Sequence, residues 1–240
     1  MKKFELTTEF ITNAFGKKLF RIKALVEFGD VKAGELGGYV EKEENVSQDG
    51  NAWVSGDARV SGNARVSGDA KVYDNAWVFG NARVSGDALV FGRALVFGDA
   101  KVFGRAWVFG NARVSGDALI SGDARVSGDA RVYDNARVYG DARVYGNAWV
   151  SGDARVSGNA RVSGDADYAL VQGFGTEFRC TTFYRGKNKK IMVNCGCFHG
   201  DLEGFRKQVK ETRNGKIAKE YLMIADLMEY HFTSEDSSNE

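Results

Sequence analysis

Residues 52–69 read Ala52-Trp53-Val54-Ser55-Gly56-Asp57-Ala58-Arg59-Val60-Ser61-Gly62-Asn63-Ala64-Arg65-Val66-Ser67-Gly68-Asp69, and the same phrase, Ala-x-Val-x-Gly-Asp/Asn, continues to Asp165. Its third place recurs 19 times from Val54 to Val162 and is Val everywhere except Ile120. Ala at the first place never fails from Ala52 to Ala166. Gly gives way only at Asp74 and Asp134, each inside Tyr-Asp-Asn, and the sixth place is neither Asp nor Asn only at Arg93 and Arg105. Ala and Val, two apart, share one side of an extended segment, and the x residues take the other. Gly-Asp/Asn is turn chemistry that supplies left-handed backbone. A short strand and a sharp turn every six residues build a prism with three flat faces. Three phrases then close an 18-residue coil, and coils stack about 4.8 Å apart. The 19 strict phrases predict roughly six coils, a rod on the order of 30 Å tall.

The rest of the composition agrees with such a ladder. The 240 residues include 30 Gly and no Pro, where average usage would supply about a dozen prolines. Proline removes a ladder hydrogen bond, so its absence suits strands throughout. The charge balance, 33 basic against 32 acidic side chains, removes the bulk electrostatic case for a nucleic-acid or membrane-surface binder. Three Cys are an odd count at low density, which favours a reducing compartment and hence the cytoplasm. Lys2 and Lys3 have no apolar run behind them, so no signal peptide is expected, and no stretch approaches the ~18 apolar residues of a membrane span.

The phrase resembles the hexapeptide-repeat motif, an aliphatic residue at i with a small residue at i+4. That resemblance covers about half of the chain and implies a left-handed parallel β-helix, commonly assembled as a parallel homotrimer. The chain is also similar to uncharacterised hexapeptide proteins of phages and prophages. The residues that carry this second likeness are Leu36-Gly37-Gly38-Tyr39-Val40-Glu41-Lys42-Glu43-Glu44-Asn45-Val46-Ser47 and Cys195-Gly196-Cys197-Phe198. Val40 and Val46 already stand six apart, so the first coil starts there. The step of eight from Val46 to Val54 predicts a two-residue bulge around Gln48-Asp49-Gly50.

Stepping by 18 separates the three faces. The face of Val54 turns outward Trp53, Tyr73, Leu89, Phe91, Trp107, Phe109 and Tyr145. The face of Val60 shows Trp77, Phe79, Leu95, Phe97, Tyr133 and Trp149. The face of Val66 is polar, with Arg65, Arg83, Lys101, Arg137, Arg155 and several Ser, interrupted by Phe103, Leu119 and Tyr139. Two adjacent apolar faces suit burial around a three-fold axis. The expected oligomer interface is therefore Trp53, Trp77, Phe79, Leu89, Phe91, Leu95, Phe97, Trp107, Phe109 and Trp149. A plainer reading has the rings stack in ladders along the β surface.

Chemistry is sought next. Hexapeptide-repeat acyltransferases use a His general base and related carbonic anhydrases use three His ligands. The repeats hold no His and the chain holds two, so both enzyme readings are disfavoured. The absence of Thr from the repeats disfavours ice binding. Arg and aromatic side chains in a groove between subunits suit a nucleotide-like or other small anionic ligand. The candidate ligand residues are those where the corner changes: Tyr73, Asp74, Arg93, Arg105, Tyr133 and Asp134. Local turn variation accounts for the same residues. Cys180, Cys195, Cys197 and His199 form a legitimate zinc ligand set, yet Cys-x-Cys-x-His lacks the usual spacing and alternation would put the last three on one strand face. Buried structural cysteines are the favoured alternative; no cofactor and no metal are expected.

The ends read differently. Residues 1–35 suit a small β cap, with Phe4-Glu5-Leu6 and Lys18–Lys23 alternating like strands around Asn13-Ala14-Phe15-Gly16. Residues 36–167 are the β-helix. Residues 168–232 suit a hairpin, Phe178–Phe183 and Lys190–Asn194 around Arg185-Gly186-Lys187-Asn188, followed by two helices. The first helix is capped by Asp201 and buries Leu202, Phe205 and Val209; it stops at Asn214-Gly215. The second starts near Lys216 and buries Ile217, Tyr221, Ile224, Ala225 and Met228. Residues 233–240 read as a disordered acidic tail. The expectation is a mainly β, non-enzymatic homotrimer that binds a small anionic signal or a host protein. The phage resemblance implies counter-defence or host interaction in the host cytoplasm, and the charge balance leaves nucleic acid and membrane out of the expected partners. The alternatives are a structural spacer or virion scaffold, and a degenerate acyltransferase-like binder of nucleotide sugars.

Overall fold

The computed structural model describes residues 2–176, 180–186 and 189–233. Three cap strands come first: β1 (Phe4–Thr12), β2 (Lys18–Ala24) and β3 (Leu36–Val40). Nineteen two-residue strands follow, from β4 (Trp53–Val54) through β22 (Arg161–Val162). From β4 to β19 each pairs in parallel with the strand 18 residues on, as Val54 with Val72 and Val90 with Val108. The result is a parallel β-solenoid of about seven turns with a seven-stranded sheet on the Val54 face. One turn beyond the strict repeats comes from β3 and Val46, which pair with Val60 and Val66 across a step of 20 rather than 18. That step is the bulge expected at Gln48-Asp49-Gly50.

Alternation explains the interior. Every repeat Ala from Ala52 to Ala160 and every repeat Val, with Ile120, is fully buried in one continuous column, while Ala166 at the end of the repeats is exposed. Glycine is required at corners such as Gly104, where φ is +69° and a Cβ would come within 3.0 Å of the backbone N of Gly122. Asp74 and Asp134, which replace it twice, take the same left-handed conformation at φ 62° and 56°.

Four strands follow the solenoid: β23 (Tyr168–Val171), β24 (Thr181–Arg185), β25 (Ile191–Cys195) and β26 (Phe198–Asp201), antiparallel in that order. Then come helices α1 (Leu202–Thr212) and α2 (Gly215–Thr233). The Asp201 carboxylate accepts from the Gly204 amide and caps α1. The buried stripes expected on both helices meet Phe183 and Val193 in a second core. Arg206 ties the helices through Asp226 at 2.8 Å and Glu229 at 2.7 Å, and these carboxylates push its guanidinium pKa upward. Thr233 belongs to α2 and not to a tail; residues 234–240 lie outside the described residues, as do Phe178, Arg179, Lys187 and Asn188 of the expected hairpin.

Candidate functional site

Part of the aromatic set gathers along one edge of the prism. Tyr73, Phe91 and Phe109 stand just before the corner that leads from the Val54 face to the Val60 face, and Trp77 and Leu95 stand just after it. Tyr73 stacks on Phe91 at 4.8 Å, and Phe91 on Phe109 at 5.0 Å, with planes within 3°. On the Val60 face Phe79 stacks on Phe97 at 4.9 Å. These spacings are close to the strand spacing, so the ladders follow from rings at the same place on successive coils. Stacking leaves Trp77, Phe79, Leu89, Phe91, Leu95, Phe97, Trp107 and Phe109 half-buried, while Trp149 is 44% exposed.

Trp53 departs from the expected exposed interface. It is 4% exposed because the cap covers it, with Phe28 at 5.4 Å and Phe4 at 6.2 Å. The repeat pattern sets only the face, and the cap comes from 25 to 50 residues earlier in the chain. Phe15 of the cap hairpin also reaches Trp77, at 6.4 Å.

The six candidate ligand residues are not brought together. Tyr73, Asp74 and Arg93 share the edge between the Val54 and Val60 faces; Tyr133 and Asp134 sit at the edge between the Val60 and Val66 faces; Arg105 is on the third edge. The reason is arithmetic: the two Tyr-Asp-Asn corners are 60 residues apart, which is not a multiple of 18. Each corner Asp has local work. Asp74 accepts from the Gly92 amide at 3.2 Å and Asp134 from the Gly152 amide at 3.2 Å. Arg105 pairs with Asp123 at 2.7 Å, one coil below. Burial, aided by the Asp74 charge, pushes the Tyr73 hydroxyl above its ordinary pKa.

The cysteines likewise separate. Cys195 ends β25, Cys197 lies in the turn, and His199 is on β26 opposite Asn194, so the three do not share a strand face. Among the described residues no cluster of three or more His, Cys, Asp or Glu could hold a metal. Cys195 Sγ accepts from the Thr181 hydroxyl at 3.1 Å, and burial pushes the Cys180 thiol up. The His199 Nε2 lies 3.1 Å from the Tyr184 hydroxyl. Tyr184 is the centre of a network the sequence did not announce: its hydroxyl lies 3.3 Å from Ser157 Oγ and 3.4 Å from Asn194 Nδ2. The prior signal was Asn194 in the otherwise apolar run Ile191–Cys195.

A second missed feature is a column of arginines. Below Trp107 the Val54 face carries Arg125, Arg143 and Arg161 on successive coils. With Phe109, Ser127 and Tyr145 they line a cavity of about 360 Å³. The Arg125 guanidinium lies 4.5 Å from the Trp107 ring centre.

Comparison with known families agrees with this architecture. The model of the YdcK Beta solenoid repeat matches residues 58–74, 118–134, 124–139, 130–144, 136–152 and 154–166. The chain is a repeat β-helix protein similar to that family over less than half of its length. No curated protein matches it. Among the described residues no helix is long and apolar enough to cross a membrane.

Proposed function

We propose that this protein is a non-enzymatic binding protein that works as a homotrimer of left-handed β-helices. The observation that carries the reading is the apolar band from Tyr73 to Phe109 that wraps one edge and leaves its neighbouring face polar. A band of this kind, rimmed by charge, marks an interaction surface. Ring stacking within one chain accounts for part of the burial and leaves the outer ring edges free to meet another copy. Below the band, Arg113, Arg125, Arg131 and Arg143 occupy the same two faces. In a parallel trimer they converge toward the axis, so an anion between subunits offsets their repulsion. The ligand class that suits this setting is a small anionic or nucleotide-like molecule, held without chemistry because the repeats lack a His base. The phage likeness of residues 36–47 and 195–198 supports sequestration of such a signal in a host cytoplasm.

Light scattering on the purified chain tests the assembly. The expected mass is three times 26.3 kDa. A mass of one chain would refute the interface. The pair Trp107→Asp and Phe109→Asp is expected to give monomers with an unchanged β circular-dichroism signature, because the Val interior is untouched.

A further inference from the structure

The aromatic ladder on the Val54 face lacks a rung. Tyr73, Phe91 and Phe109 occupy the place after the central valine on successive coils; the next coil has Ser127 there, and the one after it has Tyr145. Two coil steps separate Phe109 from Tyr145 by about 10 Å at the strand spacing. A flat ring set midway meets each neighbour at about 5 Å, the interval of the rungs already present. Both aromatics and Ser127 line one side of the 360 Å³ open groove, and Arg125, Arg143 and Arg161 of the same face line the other. That volume lies in the ~300–1,000 Å³ range of small-molecule sites.

The arginine wall asks for an anion. Arg125 is paired in the strand ladder with Arg143, and Arg143 with Arg161. Like charges directly opposite are destabilising. Among the described residues, no carboxylate forms an ion pair with any of the three. The cavities beside Arg65 and Arg83 on the Val66 face differ, since Glu44 lines both and Asp99 one of them. The other two faces repeat the Phe-Ser-Tyr interval at Phe97-Ser115-Tyr133 and Phe103-Ser121-Tyr139. There, however, Leu119 interrupts the basic column, or Trp149 ends it after Arg113 and Arg131. Ring slot and an unbroken column of three arginines therefore coincide on the Val54 face, with Arg125 leaning on Trp107 and Arg143 next below it.

We propose that this slot binds a free nucleoside monophosphate. The base inserts between Phe109 and Tyr145 as the missing rung, the Ser127 hydroxyl meets its edge, and the phosphate bridges the Arg125 and Arg143 guanidiniums. The proposal rests on the reading of this protein as a ligand binder; all of the slot's residues come from one chain, on a face that the proposed trimer also uses.

Calorimetry on the full chain tests it with AMP, adenosine, ribose 5-phosphate and an oligoadenylate strand. AMP is expected to bind at least ten-fold more tightly than adenosine or ribose 5-phosphate, because each of these fills half the site. Ser127→Phe supplies the missing rung from the protein itself. It is expected to fold with an unchanged or raised melting temperature and to weaken AMP at least ten-fold. Arg143→Gln is expected to weaken AMP and leave adenosine unchanged. Unaltered AMP binding in Ser127→Phe would overturn the slot while leaving a ligand-binding protein. Equal affinity for ribose 5-phosphate would reduce the site to a charged patch and overturn the base-stacking claim. Tighter binding of the oligoadenylate would overturn the free-nucleotide assignment. No AMP binding to the wild type overturns the proposal outright, and a trimer by light scattering would stand regardless.

Discussion

At the Met1 end of the solenoid the ladder is closed by long side chains and an antiparallel hairpin, whereas at the opposite end it is closed by a folded sheet. Parallel coils have no internal reason to stop, and an open coil presents unpaired amides and carbonyls. At the first end the Lys3 ammonium, only 4% exposed, donates to the carbonyls of Ala52 at 2.9 Å and Gly50 at 3.2 Å. Asn45 does the same for Ala64 and Gly62, and the Glu41 carboxylate accepts from the Gly62 amide. At the far end β24 and β25 supply the equivalents. The Arg155 amide donates to the Thr182 hydroxyl at 3.0 Å and the Arg155 carbonyl accepts from the Asn194 amide at 2.7 Å. The first closure uses a buried charge and the second a neutral network, so the two ends respond to different perturbations.

The largest effect is expected where one side chain serves several partners. Asn194→Leu removes the donor to the Arg155 carbonyl and to Ser157 Oγ, and the acceptor facing the Ser157 hydroxyl. Each buried group left without a partner costs about 1–3 kcal/mol. The expected outcome is loss of hydrogen-exchange protection in β24 and β25 at unchanged protection of the Met1-end coils. Equal loss at both ends would show that the closures are coupled rather than separate.

A smaller effect separates the ends by pH. Burial lowers the Lys3 pKa from 10.5 to about 8, against the weaker opposing pull of Asp49 and Asp69. Between these values the folded amine is neutral while the unfolded one holds its proton, so unfolding takes up a proton. Stability of the Met1 end therefore rises with pH from about 8 to 10.5, by at most about 3 kcal/mol. Lys3→Met is expected to abolish that slope. A slope that survives the substitution would assign the titration to another group.

These two closures also mark how far the sequence could be read. The Ala-x-Val phrase determined the faces, the 18-residue pairing and the added turn at Val40, because a period repeated 19 times averages out every local exception. The Asp201 cap and both helix stripes were legible for the same reason, as periodic local signals. Burial of Trp53 was not, since Phe4 and Phe28 reach it from outside the period. The role of Asn194 was hidden too, because its partners Arg155 and Ser157 lie 39 and 37 residues earlier. At the candidate site, aromatic identity was plain while the empty rung at Ser127 looked like one more serine.

The smallest expected effect asks whether the two odd corners are turn variants or ligand residues. Asp74 holds φ 62°, a conformation that costs an ordinary residue about 1–2 kcal/mol, and its carboxylate returns one hydrogen bond to the Gly92 amide. Asp74→Gly relieves the first and loses the second, a bond worth about 0.5–1.5 kcal/mol, so stability should change by less than about 1 kcal/mol. Asp74→Ala keeps the strain and loses the bond, so it should be destabilised by about 1 kcal/mol. Denaturant melts of the two variants, repeated at Asp134, measure the difference. If both corners behave this way and AMP affinity is untouched, Asp74 and Asp134 are glycine substitutes chosen for backbone shape. A loss of AMP binding in Asp74→Gly at unchanged stability would instead place the ligand at the edge between the Val54 and Val60 faces, above the arginine column.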